Sequence, residues 1–397
     1  MKKIIFKIGL DDANLSWTKV KPVGYDYVFF TLNNRFSGID ENNLFLANHG
    51  SLKSKINNLL FILLEKNISN INTYKILILI LRIINFRKLK NVKNTKNINF
   101  VYSSLCDYDQ SDHLSVLVHP FLSKHKWFRA VKETRLEFRY PEFFCFKISD
   151  AIIFNHNQCF EFFKKKYPLS DIFDDKKIIT NLDEEVKPSF IINSVKRKPK
   201  FSVLSNKIHI TILTGKAFSD LSDKRSGPRQ FYVKLIEEML SLGYYVDMFC
   251  FKIINDVKGI NKYKKLNEKY PLQFKIKKPL KINYDNDETL DEVINSYSIL
   301  SQYDYGFIHN YTDGSDVSKF DSINIPHRFH QYQVAALIPI ILKNKNLVLQ
   351  DIFSKHQCGL VYENLNNLEL SNKIKFKPYT PTFEDFLEEL VKIYKQL

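Results

Sequence analysis

The stretch "HRFHQYQVAALIPIILKNKN", residues 327–346, places polar and basic side chains before two alanines and a long apolar run. This order predicts a short helix whose small residues, Ala335 and Ala336, allow close packing on a sheet. Pro339 is then expected to stop the helix before a buried strand. The polar start, with a cation, two imidazoles and an amide, is more typical of a binding surface than of an ordinary helix start. A helix capped by solvated polar residues is the alternative interpretation.

The composition of the whole chain narrows its class. The chain has 397 residues, a hydrophobic fraction of 44% and a formal net charge of +16. This length suits two domains, and the hydrophobic fraction is sufficient to form their cores. The positive charge predicts an anionic partner, for which nucleic acid, anionic lipid and phosphorylated small molecules are all candidates.

Several features of the sequence bear on its location. Five cysteines are scattered without a Cys-x-x-Cys pair, which favours reduced thiols over a zinc site or a disulfide framework. The opening "MKKIIFKIGLDDANLSW" is typical of a first strand and not of a signal peptide. The most apolar stretch, "YKILILILRIINF" (residues 74–86), is shorter than the roughly 20 residues that cross a bilayer. We therefore expect a cytoplasmic protein, either soluble or peripheral on the inner face of the membrane.

Strands alternate with helices in both halves of the chain. In the first half, "KIIFKI", "YDYVFF", "INFVYSSL" and "AIIFNH" are typical of strands, whereas residues 51–66 and 72–88 have helical apolar spacing. The alternation restarts at "IHITILTG" and ends with an amphipathic helix that a threonine opens. This pattern predicts parallel sheets in two α/β domains. The expected parts are an N-terminal domain (1–185), a linker (186–207), a second domain (208–380) and a last helix (381–397) that can cross back to the first domain.

The second half resembles a known family. "SQYDYGFIHNYTDGSDVSKFDSINIPHRFHQYQVAALIPII", followed by "CGLVYENLNNL", is similar to the donor half of GT-B glycosyltransferases, above all the retaining glycosyltransferase family 4 of capsule and lipopolysaccharide enzymes. In the first half, "KISDAIIFNHNQCFEFFKKKY" and "KKIITNLDEEVKPSF" are similar to the close of the acceptor domain. The resemblance covers about residues 145–365. It implies two Rossmann-like α/β domains that face a cleft.

The resemblance also implies a donor site in the second half. The basic loop "LTGKAFSDLSDKRSGPRQFY" follows the first strand of that domain, where the family binds phosphate, although solvated basic residues are the alternative. The expected donor and phosphate contacts are Gly215, Lys216, Arg225, Arg229, His309, Asn310, His327, Arg328 and Gln331. The family holds the nucleotide ribose with a glutamate of the helix, where this chain has Gln331 or Tyr332. A neutral and weaker hydrogen bond would then replace that contact.

Acids and histidines are concentrated in "SSLCDYDQSDHLSVLVHPFL" of the first half. Such groups just after strands can orient or deprotonate an acceptor hydroxyl, so Asp109, Asp112 and His119 are the expected catalytic residues. The Asp107-Tyr-Asp109 triplet also fits the metal-binding DxD of the GT-A fold, but no GT-A-like nucleotide domain accompanies it. We therefore expect no metal site, and no cofactor apart from the nucleotide-sugar substrate. Structural hydrogen bonding is the alternative for each side chain.

Basic runs distinguish the classes of partner. Residues 87–96, 196–200 and 124–139 would suit an anionic membrane surface beside a glycan or lipid-linked glycan acceptor, with solvated loops as the alternative. No recognition helix, RNP aromatic pair or zinc module accompanies the charge, so a nucleic-acid partner is not expected. The resemblance thus implies metal-independent transfer of a sugar from a nucleotide-sugar to a growing bacterial surface glycan. The alternative function is a catalytically inactive α/β module that binds a polyanion.

Overall fold

The chain forms two compact units. The computed structural model describes residues 2–9, 16–31, 44–45, 52–66, 70–105, 111–131, 140–166, 171–214, 232–250, 257–282, 289–308, 322–343, 346–365, 369–371, 374 and 376–397. Unit 1 is formed by Met1–Pro188 together with Thr382–Leu397, and unit 2 by Ser189–Pro381.

Each unit contains one parallel sheet. The strands of unit 1 are β1 (Lys3–Ile8), β2 (Tyr25–Phe30), β3 (Leu44–Phe45), β4 (Ile98–Leu105), β5 (Lys126–Val131), β6 (Ala151–Phe154) and β7 (Lys177–Thr180). The strands of unit 2 are β8 (His209–Thr214), β9 (Tyr245–Cys250), β10 (Phe274–Lys277), β11 (Tyr305–Phe307), β12 (Ile338–Leu342) and β13 (Leu360–Tyr362). The spatial orders are β3-β2-β1-β4-β5-β6-β7 and β10-β9-β8-β11-β12-β13. Apart from the additional β7, both sheets have the 3-2-1-4-5-6 order of a Rossmann fold.

Helices connect and cover these strands. In the first part of the chain they are α1 (Ser16–Lys19), α2 (Leu52–Lys66), α3 (Ile71–Ile84), α4 (Phe86–Asn94), α5 (Ser111–Leu122), α6 (Tyr140–Ile148), α7 (Asn157–Lys166) and α8 (Asp171–Asp174). In the second part they are α9 (Ser189–Ser194), α10 (Phe201–Ser205), α11 (Val233–Ser241), α12 (Val257–Lys269), α13 (Leu290–Leu300), α14 (His327–Val334), α15 (Leu347–His356) and α16 (Phe383–Gln396). None of the helices described is long and apolar enough to cross a membrane.

The final helix, α16, packs on unit 1 and not on the unit that precedes it in sequence. Its Phe383 ring lies 5.4 Å from the ring of Trp17, and its Tyr394 ring lies 4.9 Å from that of Phe100. The predicted threonine cap is confirmed, because the side chain of Thr382 accepts a hydrogen bond from the Asp385 amide in a capping box.

The helix predicted at residues 72–88 is two helices, α3 and α4, that meet at Asn85. The Asn85 side chain is buried and donates to Asn57 of α2 at 3.0 Å, while Asn57 donates back to it at 3.2 Å. This reciprocal amide pair satisfies both buried polar groups and fixes α2 beside the junction. The break therefore depends on a partner 28 positions away.

The structure corrects the prediction that Pro339 stops the helix of residues 327–346. The helix already ends at Val334, and Ala336 has the left-handed φ of 55° that closes many helices. Pro339 instead lies inside β12, paired in register with Gly306. Its neighbours Ile338 and Ile340 make the hydrogen bonds to the β11 side, and pairing with β13 starts only at Ile340. The missing N–H of the proline therefore leaves no ladder position unfilled.

The predicted linker also differs from the observed structure. Residues 189–207 belong to unit 2 and contain two short helices, α9 and α10. Lys198 donates its amide to the Ser301 hydroxyl at 2.9 Å, and Ser202 donates its hydroxyl to the Asp304 carboxylate. These contacts reach about a hundred positions along the chain. The segment was predicted to be a linker because it has no sustained hydrophobic period, and such a local pattern carries no information on these distant contacts.

Candidate donor site at the carboxyl edge of the second sheet

The sheet of unit 2 has a topological switch point between β8 and β11. The chain runs from β8 outward through β9 and β10, and then returns to the other side of β8 with β11. In open α/β sheets, ligands bind outside the carboxyl ends of the strands at such a point. Here those ends are Thr214 and Phe307. The predicted phosphate loop and the pair His309-Asn310 follow them directly in sequence.

A tyrosine of α14 closes the sheet between these two strands. β8 and β11 are paired at Tyr305↔Ile210 and Gly306↔Thr211. Beyond that pairing, the Tyr332 hydroxyl accepts a hydrogen bond from the Leu213 amide at 2.9 Å. Burial raises the pKa of this hydroxyl above its ordinary value, so it remains neutral and can also donate to a strand carbonyl. The Tyr332 side chain of α14 thus makes hydrogen bonds to β8 at the point where the described pairing of β8 with β11 ends.

Gly306 is the residue of β11 that makes room for this tyrosine. A Cβ atom at position 306 would lie 2.4 Å from the ring of Tyr332, which is closer than real contacts allow. A glycine in a strand often marks such a close approach. Since Tyr332 is buried in the sheet, the alternative in which it contacts the ribose does not fit its position.

Arg328 lies one turn before Tyr332 and is held at the end of β8. Its Nη1 atom donates to the Tyr232 hydroxyl at 2.8 Å and to the Leu213 carbonyl at 3.3 Å. Leu213 is the residue before the last of β8, so the guanidinium lies at the switch point. The N-cap residue of α14 is Pro326, which offers no capping side chain to the first turn. A cation and a helix N-terminus are therefore together at the carboxyl edge.

The other predicted donor residues fall into two groups. His327 is half-buried in the first turn of α14, and Gln331 is 3% exposed in its second turn. The remaining six lie outside the described residues, namely Gly215, Lys216, Arg225, Arg229, His309 and Asn310. The described residues thus bring Arg328, His327 and Gln331 together on one helix at the switch point.

Asp112, one of the predicted catalytic residues, lies in a buried ion pair. It is in the first turn of α5 and not directly after a strand, and its carboxylate accepts a hydrogen bond from the Arg129 guanidinium of β5. Arg129 is fully buried and Asp112 is 3% exposed. This arrangement explains Asp112 as the counter-ion of a buried arginine, which is the structural interpretation.

His119 lies in the last turn of α5, far along the helix from Asp112. Its ring packs 5.3 Å from that of Trp127, at the start of β5, and 5.5 Å from that of Phe144. Burial and the nearby Arg82 lower its pKa, so the imidazole is neutral at pH 7. The contact with Trp127 places His119 at the amino edge of the sheet, whereas Asp112 lies towards the carboxyl edge. The structure therefore does not bring these two candidates together, and Asp109 lies outside the described residues.

Within the ranges that the structure describes, no cluster of three or more His, Cys, Asp or Glu side chains is arranged to hold a metal ion. Asp107, Asp109 and the "DND" triplet at residues 285–287 are outside those ranges.

Sequence reasoning missed Gly306 and Tyr232 as elements of this site, and it considered Tyr332 only as the alternative to Gln331. The glycine within the apolar "YGF" strand was an available signal of close approach. Its partner Tyr332 is 26 positions away, so the local hydrophobic pattern could not predict their contact. Tyr232 is the N-cap residue of α11 and the last residue of the predicted phosphate loop, whose expected contacts were a glycine and basic side chains.

Solved structures match the fold over nearly the whole chain. The N-terminal domain of trehalose-6-phosphate phosphatase from Candida albicans has a TM-score of 0.59 at 11% identity, covering 100% of this chain and 96% of that one. The α,α-trehalose-phosphate synthase (UDP-forming) of Burkholderia vietnamiensis has a TM-score of 0.53 at 11% identity, with 99% and 91% covered. A trehalose-6-phosphate structure from E. coli, bound with UDP-2-fluoro glucose, has a TM-score of 0.52 at 10% identity, with 100% and 97% covered.

These likenesses show the fold class. The chain has the GT-B architecture of two Rossmann-like α/β domains, as the sequence resemblance implied. No protein-family model matches the chain, and no curated protein sequence matches it.

Proposed function

We propose that the chain is a glycosyltransferase that binds a nucleotide-sugar donor at the carboxyl edge of the unit 2 sheet. The observation that carries this proposal is the position of Arg328, which is hydrogen-bonded to Leu213 and Tyr232 at the switch point between β8 and β11. Structures with this fold support the donor class, since one is a UDP-forming synthase and another is bound with UDP-2-fluoro glucose.

The chemistry of sugar transfer explains a cation at this position. The bond between the anomeric carbon and the donor phosphate breaks, and the leaving diphosphate gains negative charge. Cations and N–H groups that are already in position stabilise this developing charge more than they stabilise the bound nucleotide-sugar. Arg328 and the N-terminus of α14 supply a cation and oriented N–H groups, so we propose that no metal ion is required. Gln331 would hydrogen-bond the nucleotide where the resembling family has a carboxylate.

The acceptor is proposed from the family resemblance. It is a growing bacterial surface glycan of the capsule or lipopolysaccharide type, either free or linked to lipid. Asp109 remains a candidate for orienting the acceptor hydroxyl. Asp112 and His119 are not carried forward, because the first neutralises Arg129 and the second packs on Trp127 at the opposite edge of the sheet.

The test begins with a thermal-shift panel of nucleoside diphosphates and their sugar conjugates, which identifies the donor. A charge-assisted hydrogen bond contributes roughly 1.5–3 kcal/mol. Arg328→Ala should therefore lower turnover of that donor by about one to two orders of magnitude. Gln331→Ala should have a smaller effect because its hydrogen bond is neutral. Added EDTA should leave the rate unchanged if the reaction is metal-independent.

Two controls separate catalysis from folding. Tyr232→Phe removes one hydrogen bond of the guanidinium but leaves the charge, so its effect should be much smaller than that of Arg328→Ala. Arg197→Ala removes an exposed arginine of the same unit and should leave turnover unchanged. If Arg328→Ala is folded and keeps the kcat and KM of the wild type, Arg328 is a structural residue and the proposed donor site is wrong.

A further inference from the structure

Large apolar side chains are exposed on two neighbouring helices of unit 1. The three most exposed on α3 are Ile76 at 59%, Leu79 at 56% and Ile83 at 67%. On α2, Ile56, Leu59 and Ile62 recur at every third position and are also exposed. We call these six side chains the α2–α3 apolar face. A contiguous exposed apolar face usually marks a surface that binds a protein or a membrane.

The face exists because α3 is apolar on both of its sides. Tyr74, Ile78 and Leu81 point into the core of unit 1 and are at most 3% exposed. The core therefore needs only one side of the helix. A helix that serves a water-facing surface carries polar residues on its other side. The exposed isoleucines and leucine of α3 are not part of that core.

The surroundings of the face are strongly basic. Residues 52–98 contain ten lysines and arginines but a single acidic residue, Glu65. Of the described cations, Lys75 on α3 and the α4 residues Arg87, Lys90 and Lys93 are exposed to solvent. α4 buries Leu89 and Val92 under this basic surface, so it presents its cations beside the end of α3.

The combination of positive charge and exposed apolar side chains favours one class of partner over the others. A second copy of the chain would bring the cations of both faces together, which opposes self-association. Nucleic acid would satisfy the cations but would leave the isoleucines and leucines against a phosphate backbone. A bilayer with anionic lipids satisfies both, because apolar side chains enter the acyl boundary while lysines and arginines contact the headgroups.

We propose that the α2–α3 apolar face, with the adjacent basic surface of α4, docks unit 1 on an anionic lipid membrane. α3 has 14 residues, too short to span a bilayer, so it lies in the plane of the interface. The docking surface is separate from the donor site in unit 2 and does not depend on transferase activity. It gives the protein access to acceptors that are themselves held in the membrane.

The experiment is flotation of the full chain with vesicles of neutral phosphatidylcholine, with or without about one third phosphatidylglycerol. The protein should float with the anionic vesicles and remain below the neutral ones. The triple variant I76Q/L79Q/I83Q should reduce flotation by about tenfold or more, since it removes the apolar contact. The control variant V203Q/L204Q/L272Q changes three side chains of unit 2 that are at least 73% exposed, and should float like the wild type.

A second pair of variants tests the charge. R87Q/K90Q/K93Q should weaken flotation and reduce its dependence on salt between about 0.1 M and 0.5 M NaCl, because exposed charges are screened. K262Q/K264Q/K265Q removes the same charge from α12 and should have little effect.

Three outcomes would overturn the proposal. The first is a wild type that does not float with anionic vesicles, and the second is equal flotation of I76Q/L79Q/I83Q and the wild type. The third is concentration-dependent self-association that this triple variant abolishes, which would make the face an interface between copies of the chain. Each readout uses binding alone, so a failed donor assay leaves this proposal standing, and the reverse also holds.

Discussion

The two sheets share one strand order but differ at the switch point. In unit 1, β1 and β4 remain paired up to Ile8↔Ser103, at the end of β1. In unit 2, the pairing of β8 and β11 is described only as far as Gly306↔Thr211, and the Tyr332 hydroxyl closes the sheet beyond it. The same strand order therefore allows two arrangements at the switch point. In unit 1 the two central strands stay paired to the end of β1, whereas in unit 2 the Tyr332 side chain acts as a wedge beyond the last described pair.

Buried charges also lie at opposite edges of the two sheets. In unit 1, the Lys7 ammonium donates to the Ser104 hydroxyl at 2.5 Å, and Arg129 is paired with Asp112, both towards the carboxyl edge. In unit 2, the Lys200 ammonium donates to the carbonyls of Tyr303 and Ala336, which precede β11 and β12 at the amino edge.

This difference bears on where a ligand can bind. The cations at the carboxyl edge of unit 1 are buried and neutralised or hydrogen-bonded inside the unit. At the same edge of unit 2, Arg328 is half-buried and donates to a carbonyl and a phenol. Its half-buried position at the end of β8 differs from the full burial of Arg129 within β5. An anion can approach a guanidinium that is partly exposed, and it cannot approach one that is fully buried.

The largest expected effect comes from breaking the ion pair of unit 1. Asp112→Leu removes the carboxylate that accepts a hydrogen bond from the buried Arg129 guanidinium, and breaking a buried ion pair costs about 3–5 kcal/mol of stability. The Glu142 carboxylate is also buried near this guanidinium, so we expect a loss towards the lower end of that range. Both tryptophans of the chain, Trp17 and Trp127, are buried in unit 1, so urea unfolding followed by tryptophan fluorescence reports this unit.

The double variant Asp112→Leu/Arg129→Met is the matched control. It removes both charges, so it should recover most of the lost stability, because replacing both partners of a buried pair by apolar residues is often close to neutral. A single variant Asp112→Leu that is as stable as the wild type would show that the carboxylate is not needed as a counter-ion, and Asp112 would again be a candidate for catalysis.

Local sequence patterns predicted the elements that depend on local physics. The alternation of strands and helices and the capping threonine of α16 both act within a few residues of their own position. α5 shows why other features were missed. Pro120 lies inside this helix and cannot donate to the Val116 carbonyl, but Arg82 of α3 donates to that carbonyl at 2.8 Å.

The candidate site was also predictable only where it depends on local sequence patterns. The sequence predicted that Arg328 and Gln331 lie on a helix. That prediction was possible because the order of polar, small and apolar residues is a local pattern. The pairs Arg129–Asp112 and Tyr332–Gly306 depend on side chains that meet only when the chain is folded. Asp112 and His119 were grouped because they are close in sequence, yet one helix carries them to opposite edges of its sheet.

An intermediate effect is expected from the tyrosine wedge of unit 2. Tyr332→Phe keeps the ring against Gly306 but leaves the buried Leu213 amide without its acceptor. An unsatisfied buried donor costs about 1–3 kcal/mol. Hydrogen exchange at the amides of β8 should accelerate accordingly, while the tryptophan-detected unfolding of unit 1 should not change. Tyr362→Phe is the control, because that hydroxyl makes a 3.4 Å contact with the Glu369 carbonyl near the surface. Identical exchange rates in the two variants would show that Tyr332 acts only through its ring.

The smallest effect concerns the ammonium at the amino edge of unit 2. Burial lowers the pKa of Lys200 to about 8, although Asp304 opposes the shift. The unfolded chain has a lysine pKa of about 10.4, so between pH 8 and pH 10 it binds more protons than the folded chain. Stability must then rise with pH through this window, because the cost of burying the charged form disappears as the folded-state ammonium deprotonates.

Lys200→Met isolates this contribution, since buried tyrosines titrate alike in both proteins and cancel in the difference. From pH 7.5 to 9.5 the wild type should gain about 1 kcal/mol relative to the variant, a value reduced from the full shift because Lys200 is partly exposed to solvent. Thermal unfolding of unit 2, measured by calorimetry at several pH values, gives this difference directly. Parallel stability curves would mean that Lys200 keeps its proton throughout. The amino edge would then hold a permanent charge, as the carboxyl edge of unit 1 does, and the contrast between the two sheets would be reduced to the tyrosine wedge.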